Sequence, residues 1–323
     1  MKSGLRFLPH IFLWAFLFGD VQAGEPSEVT PEGCVVEKFR LPSPAMKRDI
    51  EVAVLLPPAY QSKSDRLPVL YALHGMGASY LSFKDMIPLR RFLVDHPMIV
   101  VAFNGEESWY LDAPGRPEYV FTTFFFAELV PEINRRFRTD GRMAVTGFSM
   151  GGFGALHYLL EHQDRFTSAS ALSGAFECFD NSPESAQWVR REEELLGSKE
   201  KNPEAYQRVA LSSRFKRLVS EGSKLPPLLI LCGSEDRLRD SNRRFIDMLQ
   251  TINAEELKKH AAELDSLATP KERNARISEI RKSALIDYEY RETPGGHDWP
   301  YWRDTMPAAA EFHWNHFARP LAK

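Results

Sequence analysis

The chain has 323 residues, 43% of them hydrophobic and 12% aromatic, enough for one large core or a core plus appendages. Its formal charge of −3 comes without any basic block, which argues against nucleic acid as a partner. Three cysteines permit at most one internal disulfide in an exported chain.

Lys2 and Arg6 precede an apolar stretch, residues 7–18, and then Val21-Gln22-Ala23, a small-residue cleavage pattern. This reads as a secretory signal peptide, residues 1–23, removed after Ala23 to leave a secreted or periplasmic protein. The apolar core falls well short of the ~20 residues that span a bilayer, so no stable membrane anchor is expected. The remainder, 24–323, is expected to form one catalytic domain.

Segments 34–41 and 49–56 alternate apolar with polar residues without an intervening helix, the pattern of an antiparallel opening pair at one sheet edge. From Leu67 onward short apolar runs alternate with helical patterns. These runs are 69–73, 98–103, 143–147, 168–172, 228–232 and 288–291, and their alternation predicts an α/β fold with a mostly parallel sheet and flanking helices. Residues 121–137 have the spacing of a buried helix interrupted by Pro131.

Two stretches exceed a minimal α/β layout. Residues 177–225 leave the C-terminal end of one strand, where ligands bind, and are therefore placed to roof a pocket; Trp188, Tyr206 and Phe215 could line it or simply pack the insert onto the body. Residues 251–283 are charged and helix-prone, with a break near Thr269-Pro270. They follow a helix that has already run back from the binding face, which places them near the opposite edge as a solvated extension or partner surface. Cys232 falls in an apolar strand and reads as a buried thiol, leaving Cys34 with Cys178 as the pairing still available.

The chemistry centres on Gly147-Phe148-Ser149-Met150-Gly151, which links a strand-like run to a helix-like run. Such a nucleophile elbow lifts a serine hydroxyl clear of the sheet, and the small residues Gly147, Gly151, Gly152 and Gly154 let the backbone pass close to its neighbours. At background frequencies of about 7% for Gly and Ser, the motif arises by chance in roughly one chain of this length in ten, so its surroundings must carry the assignment. A serine needs a base and an orienting carboxylate, and in α/β hydrolases these follow in the order Ser, acid, His. Asp236 lies in the loop after the strand at 228–232, with Glu235 and Asp240 as alternative acids. His297 lies in a glycine-rich loop after the last strand. Two backbone N–H donors must face the developing oxyanion. Met150 supplies one, and the loop His74-Gly75-Met76-Gly77 supplies the other from Met76, with Gly77 as fallback. His313 and His316 are spaced like a metal pair on a helix, but no HExxH pattern or third ligand accompanies them, and no metal or other cofactor is expected. His157 and His162, on the helix after the elbow, read as packing or surface residues.

The residues His74-Gly-Met-Gly, Asn104-Gly-Glu-Glu-Ser-Trp-Tyr110, Gly147-Phe-Ser-Met-Gly-Gly-Phe-Gly-Ala155, Cys232-Gly-Ser-Glu-Asp236 and Pro294-Gly-Gly-His-Asp-Trp299 together resemble the Putative esterase family. That family includes tributyrin, feruloyl and acetylxylan esterases, S-formylglutathione hydrolase and the mycolyltransferases. The resemblance implies an α/β-hydrolase fold with Ser149, Asp236 and His297 as triad and Met76 and Met150 as oxyanion donors. It also implies a substrate pocket bordered by Trp109, Gly75 and Gly77. The helical insert after Gln250 and the composition of the roof depart from the family pattern. A serine carboxylesterase acting on small-molecule or carbohydrate-linked esters is the expected function; an acyltransferase using a sugar hydroxyl and a catalytically inactive binding module are the alternatives.

Overall fold

The computed structural model describes residues 25–180 and 186–318, so the signal-peptide assignment lies outside the described residues. The strands are β1 (Glu25–Val29), β2 (Val35–Ser43), β3 (Arg48–Leu56), β4 (Leu67–Leu73), β5 (Ile99–Phe103), β6 (Thr139–Phe148), β7 (Phe166–Leu172), β8 (Leu228–Gly233) and β9 (Tyr288–Thr293). They form one sheet in the order β1-β2-β3-β5-β4-β6-β7-β8-β9. Pairing is antiparallel from β1 through to β5 and parallel from β5 to β9. The antiparallel opening pair is β2 with β3, and the six apolar runs are β4 to β9. The expected α/β-hydrolase architecture is therefore present.

β1 was not legible in the sequence. Its five residues, Glu-Pro-Ser-Glu-Val, carry one apolar residue with strand preference, and the strand sits at the sheet edge with an irregular register.

β4 shows why the central strands read as unbroken apolar runs. All seven of its residues are buried; Val69, Tyr71 and Leu73 face one hydrophobic cluster and Leu70 and Ala72 face the other. On the first face lie the helices Met150–Glu161, Leu211–Ser220 and Arg239–Lys258, contributing Leu156, Phe215 and Phe245. On the second lie Ile87–Asp95 and Trp299–Phe317, contributing Leu89 and Met306. The helix expected over 121–137 is present, with a wide π turn over Phe124–Leu129 just before Pro131. A proline has no N–H for the preceding turn and its ring crowds that carbonyl, and a widened turn accommodates both.

Between β7 and β8 the chain builds helices Ala186–Leu196, Pro203–Val209 and Leu211–Ser220. Tyr206 and Phe215 are buried packing residues, Phe215 lying edge-on to Phe245 at 5.8 Å. Trp188 instead stands edge-on to Trp109 at 6.0 Å. The charged segment after Lys258 forms helices Ala261–Ser266 and Pro270–Ser283, the second opened by a capping box between Thr269 and Glu272. Asn253 exchanges hydrogen bonds of 3.0 and 2.8 Å with the backbone of Ile286, just before β9. A cleft of about 1270 Å³ there is bordered by Phe166, Pro227, Leu257 and Arg281, at the N-terminal ends of β7 to β9.

The leftover cysteine pairing is not formed. All three cysteines are free and buried. Cys34 packs with the cluster on one face of the sheet, where its Sγ lies 3.7 Å from the Arg90 carbonyl, and Cys178 packs on the other. The sheet stands between them, and burial pushes the Cys34 thiol up to about 11.

Candidate active site

The elbow is a strained turn built by close backbone contact. Ser149 sits at φ 54°, ψ −117°, between the end of β6 and the first turn of Met150–Glu161. A conformation this rare for a side-chain-bearing residue costs on the order of 1–3 kcal/mol and must be held by its surroundings. Ser149 N–H donates to the Leu172 carbonyl at 2.9 Å, and Ala175 N–H donates to the Ser149 carbonyl at 3.2 Å. The flanking glycines allow the approach: a Cβ on Gly147 would lie 2.2 Å from the Gly151 carbonyl oxygen, and one on Gly151 would lie 2.0 Å from that of Leu73.

Three strand-end loops converge on this serine. Ser149 Oγ lies 2.9 Å from His297 Nε2, in the loop after β9. His297 Nδ1 lies 3.0 and 3.1 Å from the two carboxylate oxygens of Asp236, in the loop after β8. The geometry also settles which acid reaches the histidine. The Asp236 side chain is fully enclosed, whereas Glu235 is exposed and Asp240 pairs with Arg239 at the surface. Burial alone would raise the Asp236 carboxyl, but hydrogen bonds from His297, from the Ser173 hydroxyl and from the Leu238 N–H outweigh it and hold the group below its ordinary range.

The loop after β4 carries Gly75, Met76 and Gly77. Met76 N–H donates to no backbone carbonyl among the described residues. Met150, as the first residue of its helix, has no intrahelical acceptor for its own N–H. Both are thus available to an incoming oxyanion. The sequence reading overlooked what braces this loop. His74 is buried; its Nδ1–H donates to the Gly75 carbonyl at 2.8 Å and its Nε2 accepts from Gly105 N–H at 2.9 Å. That pattern requires the neutral ring, and burial lowers its proton affinity in agreement. Tyr110 hydroxyl donates to the His74 carbonyl at 2.8 Å.

Trp109 is buried, its ring edge-on to Phe153, Phe179 and Trp188 at 5.5, 5.4 and 6.0 Å. It ties the roof to the elbow helix. Arg191 of the roof reaches both the Met76 thioether and the Glu107 carboxylate. Among the remaining histidines, His157 is buried, with Nδ1 accepting from Arg214 at 2.7 Å and Nε2 meeting the Thr122 hydroxyl at 3.0 Å. His162 packs edge-on against Phe126 at 4.4 Å. Both ring nitrogens of His313 are engaged by hydroxyls, Ser168 and Ser170, at 2.8 Å each, and His316 bonds the Phe312 carbonyl at 2.7 Å.

A serine, histidine and buried carboxylate in hydrogen-bonding sequence, on the loops of such a sheet, form the constellation of a serine hydrolase. The sequence matches the Putative esterase family over residues 43–313. The chain belongs to that family. An esterase of Mycobacterium tuberculosis is 38% identical over 149 residues, covering 42% of this chain and 31% of its own length. The chain thus spans about a third of the length of that relative. An acetyl esterase of Caldicellulosiruptor saccharolyticus is 24% identical over 293 residues, covering 84% of this chain and 94% of its own length. Among solved structures, a fluorophosphonate-binding serine hydrolase of Staphylococcus aureus superposes with a TM-score of 0.67 at 21% identity, covering 90% of this chain and 100% of that one. This esterase-family chain therefore shares the α/β-hydrolase fold.

Proposed function

We propose that this protein is an exported serine carboxylesterase that hydrolyses short acyl esters, including acyl groups carried on carbohydrate. The observation that carries the reading is the 2.9 Å contact between Ser149 Oγ and His297 Nε2, with His297 Nδ1 on the carboxylate of Asp236. Ser149 Oγ attacks the ester carbonyl while His297 Nε2 takes its proton. The tetrahedral oxyanion is received by the Met76 and Met150 N–H groups, and the imidazolium returns the proton to the departing alcohol. Water, deprotonated by the same imidazole, then releases the acid from the acyl-serine. The acetyl esterase that aligns along most of the chain favours a small acyl group, and an N-terminal export signal gives access to polymeric substrates.

The test is turnover of p-nitrophenyl acetate together with covalent labelling by a fluorophosphonate probe. Both should be present in the native enzyme and absent in Ser149→Ala, whose thermal unfolding should stay close to native; neither signal in the native protein would overturn the esterase reading. A panel of esters varying in acyl length, including acetylated and feruloylated sugars, ranks the substrate class. An added sugar acceptor that diverted product from free acid to a new ester would instead establish acyl transfer. Export is checked by N-terminal sequencing of the protein outside the cytoplasmic membrane, expected to begin at Gly24.

A further inference from the structure

Ser173 follows the last residue of β7 and, apart from its hydroxyl beside the Asp236 carboxylate, takes no part in the site described above. It is fully buried and held at φ 51°, a left-handed conformation that a serine adopts at a cost. Its N–H is fixed to the Leu231 carbonyl of β8 at 2.7 Å. Its hydroxyl oxygen accepts the indole N–H of Trp302 at 3.2 Å, a contact between residues 129 positions apart. Trp302 belongs to the first turn of Trp299–Phe317, and its ring makes two further contacts within the catalytic centre. It stands perpendicular to the His297 imidazole, at 4.9 Å and 87°, and stacks on Phe148, the residue before the nucleophile, at 4.6 Å and 19°.

We propose that Ser173 and Trp302 are a positioning pair for the catalytic acid and base. The indole N–H orients the Ser173 hydroxyl toward the Asp236 carboxylate, while the indole ring fixes the imidazole of His297. This rests on the esterase reading above. The chemical basis is that a hydroxyl has one hydrogen to donate. Once its oxygen is taken up as acceptor by the indole, that hydrogen is free for a second partner, and the Ser173 hydroxyl lies near two, the Asp236 carboxyl group and the Cys232 thiol. A carboxylate is by far the stronger acceptor. The titratable groups around Asp236 are His297, Cys232 and Tyr301, and burial lifts both Cys232 and Tyr301 to about 12.

The expected signature follows from the sign of this interaction. A donated O–H withdraws charge from the carboxylate. Without it, Asp236 holds the imidazolium more tightly, so the base loses its proton at a higher pH. In Ser173→Ala, the acid limb of the kcat/KM profile on p-nitrophenyl acetate should move upward by roughly half to one unit. kcat should fall about 10-fold, the effect of losing one hydrogen bond to a charged group, with KM nearly unchanged. Trp302→Phe keeps an aromatic ring against Phe148 and His297 but loses the N–H, and should shift the limb the same way by less. The double variant should match Ser173→Ala, because both changes remove one interaction. Superposition of the Ser173→Ala profile on the native one, or independent addition of the two shifts, would overturn the proposal. Should Ser173→Ala fail to fold, an unmoved limb in Trp302→Phe overturns it alone. Native turnover separates the outcomes: its absence refutes the esterase reading, and its presence with unmoved limbs refutes only this pair.

Discussion

Asp236 and His297 touch through both carboxylate oxygens, so the acid dictates which imidazole nitrogen carries the proton. In Asp236→Asn the amide offers N–H groups where the carboxylate accepted, and the ring is held with its proton on the wrong nitrogen. The expected loss in kcat is ~10⁴-fold with KM little changed, measured by steady-state ester hydrolysis. A comparable loss in Glu235→Gln instead would place the acid one residue earlier. The chain order Ser, acid, His was legible in the linear sequence because each residue sits just after an apolar run. The choice among Glu235, Asp236 and Asp240 was not, since it depends on how the loop turns: Asp236 N–H bonds back to the Gly233 carbonyl at 3.1 Å, in a turn that leaves its side chain enclosed. Ser173, Trp302 and the His74 brace were equally hidden, because their partners come from segments far away in the chain.

At the scale of the element, the elbow shows how a helix and two strands share one crowded volume. A methyl group on Gly151 would meet the Leu73 carbonyl of β4 at 2.0 Å, a backbone atom that cannot rotate away. Gly151→Ala must therefore shift the elbow helix or β4. Thermal unfolding should show a loss of about 2–4 kcal/mol, and turnover should fall with it, since Ser149 and the loop after β4 move relative to each other. A fully active, equally stable Gly151→Ala would contradict the packing described. The parallel strands were readable as elements because two-sided burial demands continuous apolar residues. β1 was not, because a short edge strand needs no such composition. Pro131 signalled an interruption in its helix, though not the form it takes, a π turn over Phe124–Leu129 that keeps Phe124 and Phe125 wholly buried.

Across the whole molecule, the C-terminal helix and the sheet are joined by a buried polar contact that makes stability depend on pH. Burial, with a smaller contribution from His316, holds His313 down to about 3 from an ordinary 6.5. The unfolded chain takes up a proton below about 6.5 and the folded one does not, so this contribution is complete above that pH and is lost as pH falls toward about 3. Asp236, whose folded carboxyl is also held down, acts in the same direction at lower pH. The midpoint of thermal unfolding should thus fall steadily from pH 7 to pH 4, and His313→Gln, which cannot charge, should flatten that slope. An unchanged slope in the variant would show that other groups carry the acid sensitivity.

The same sheet separates Cys34 from Cys178, brings the loops after β4, β6, β8 and β9 to one end, and leaves the charged helices after Lys258 at the other. By itself the sequence determined the class of fold and pointed to Ser149 and the chain order of its partners, because strand burial and the elbow's steric demands are written locally in apolar runs and glycines. Only the tertiary structure decided which carboxylate meets the histidine, what braces the loop after β4, and that the cysteines stay apart. Those outcomes depend on distances between residues remote in the chain, and such distances exist only once the sheet has assembled.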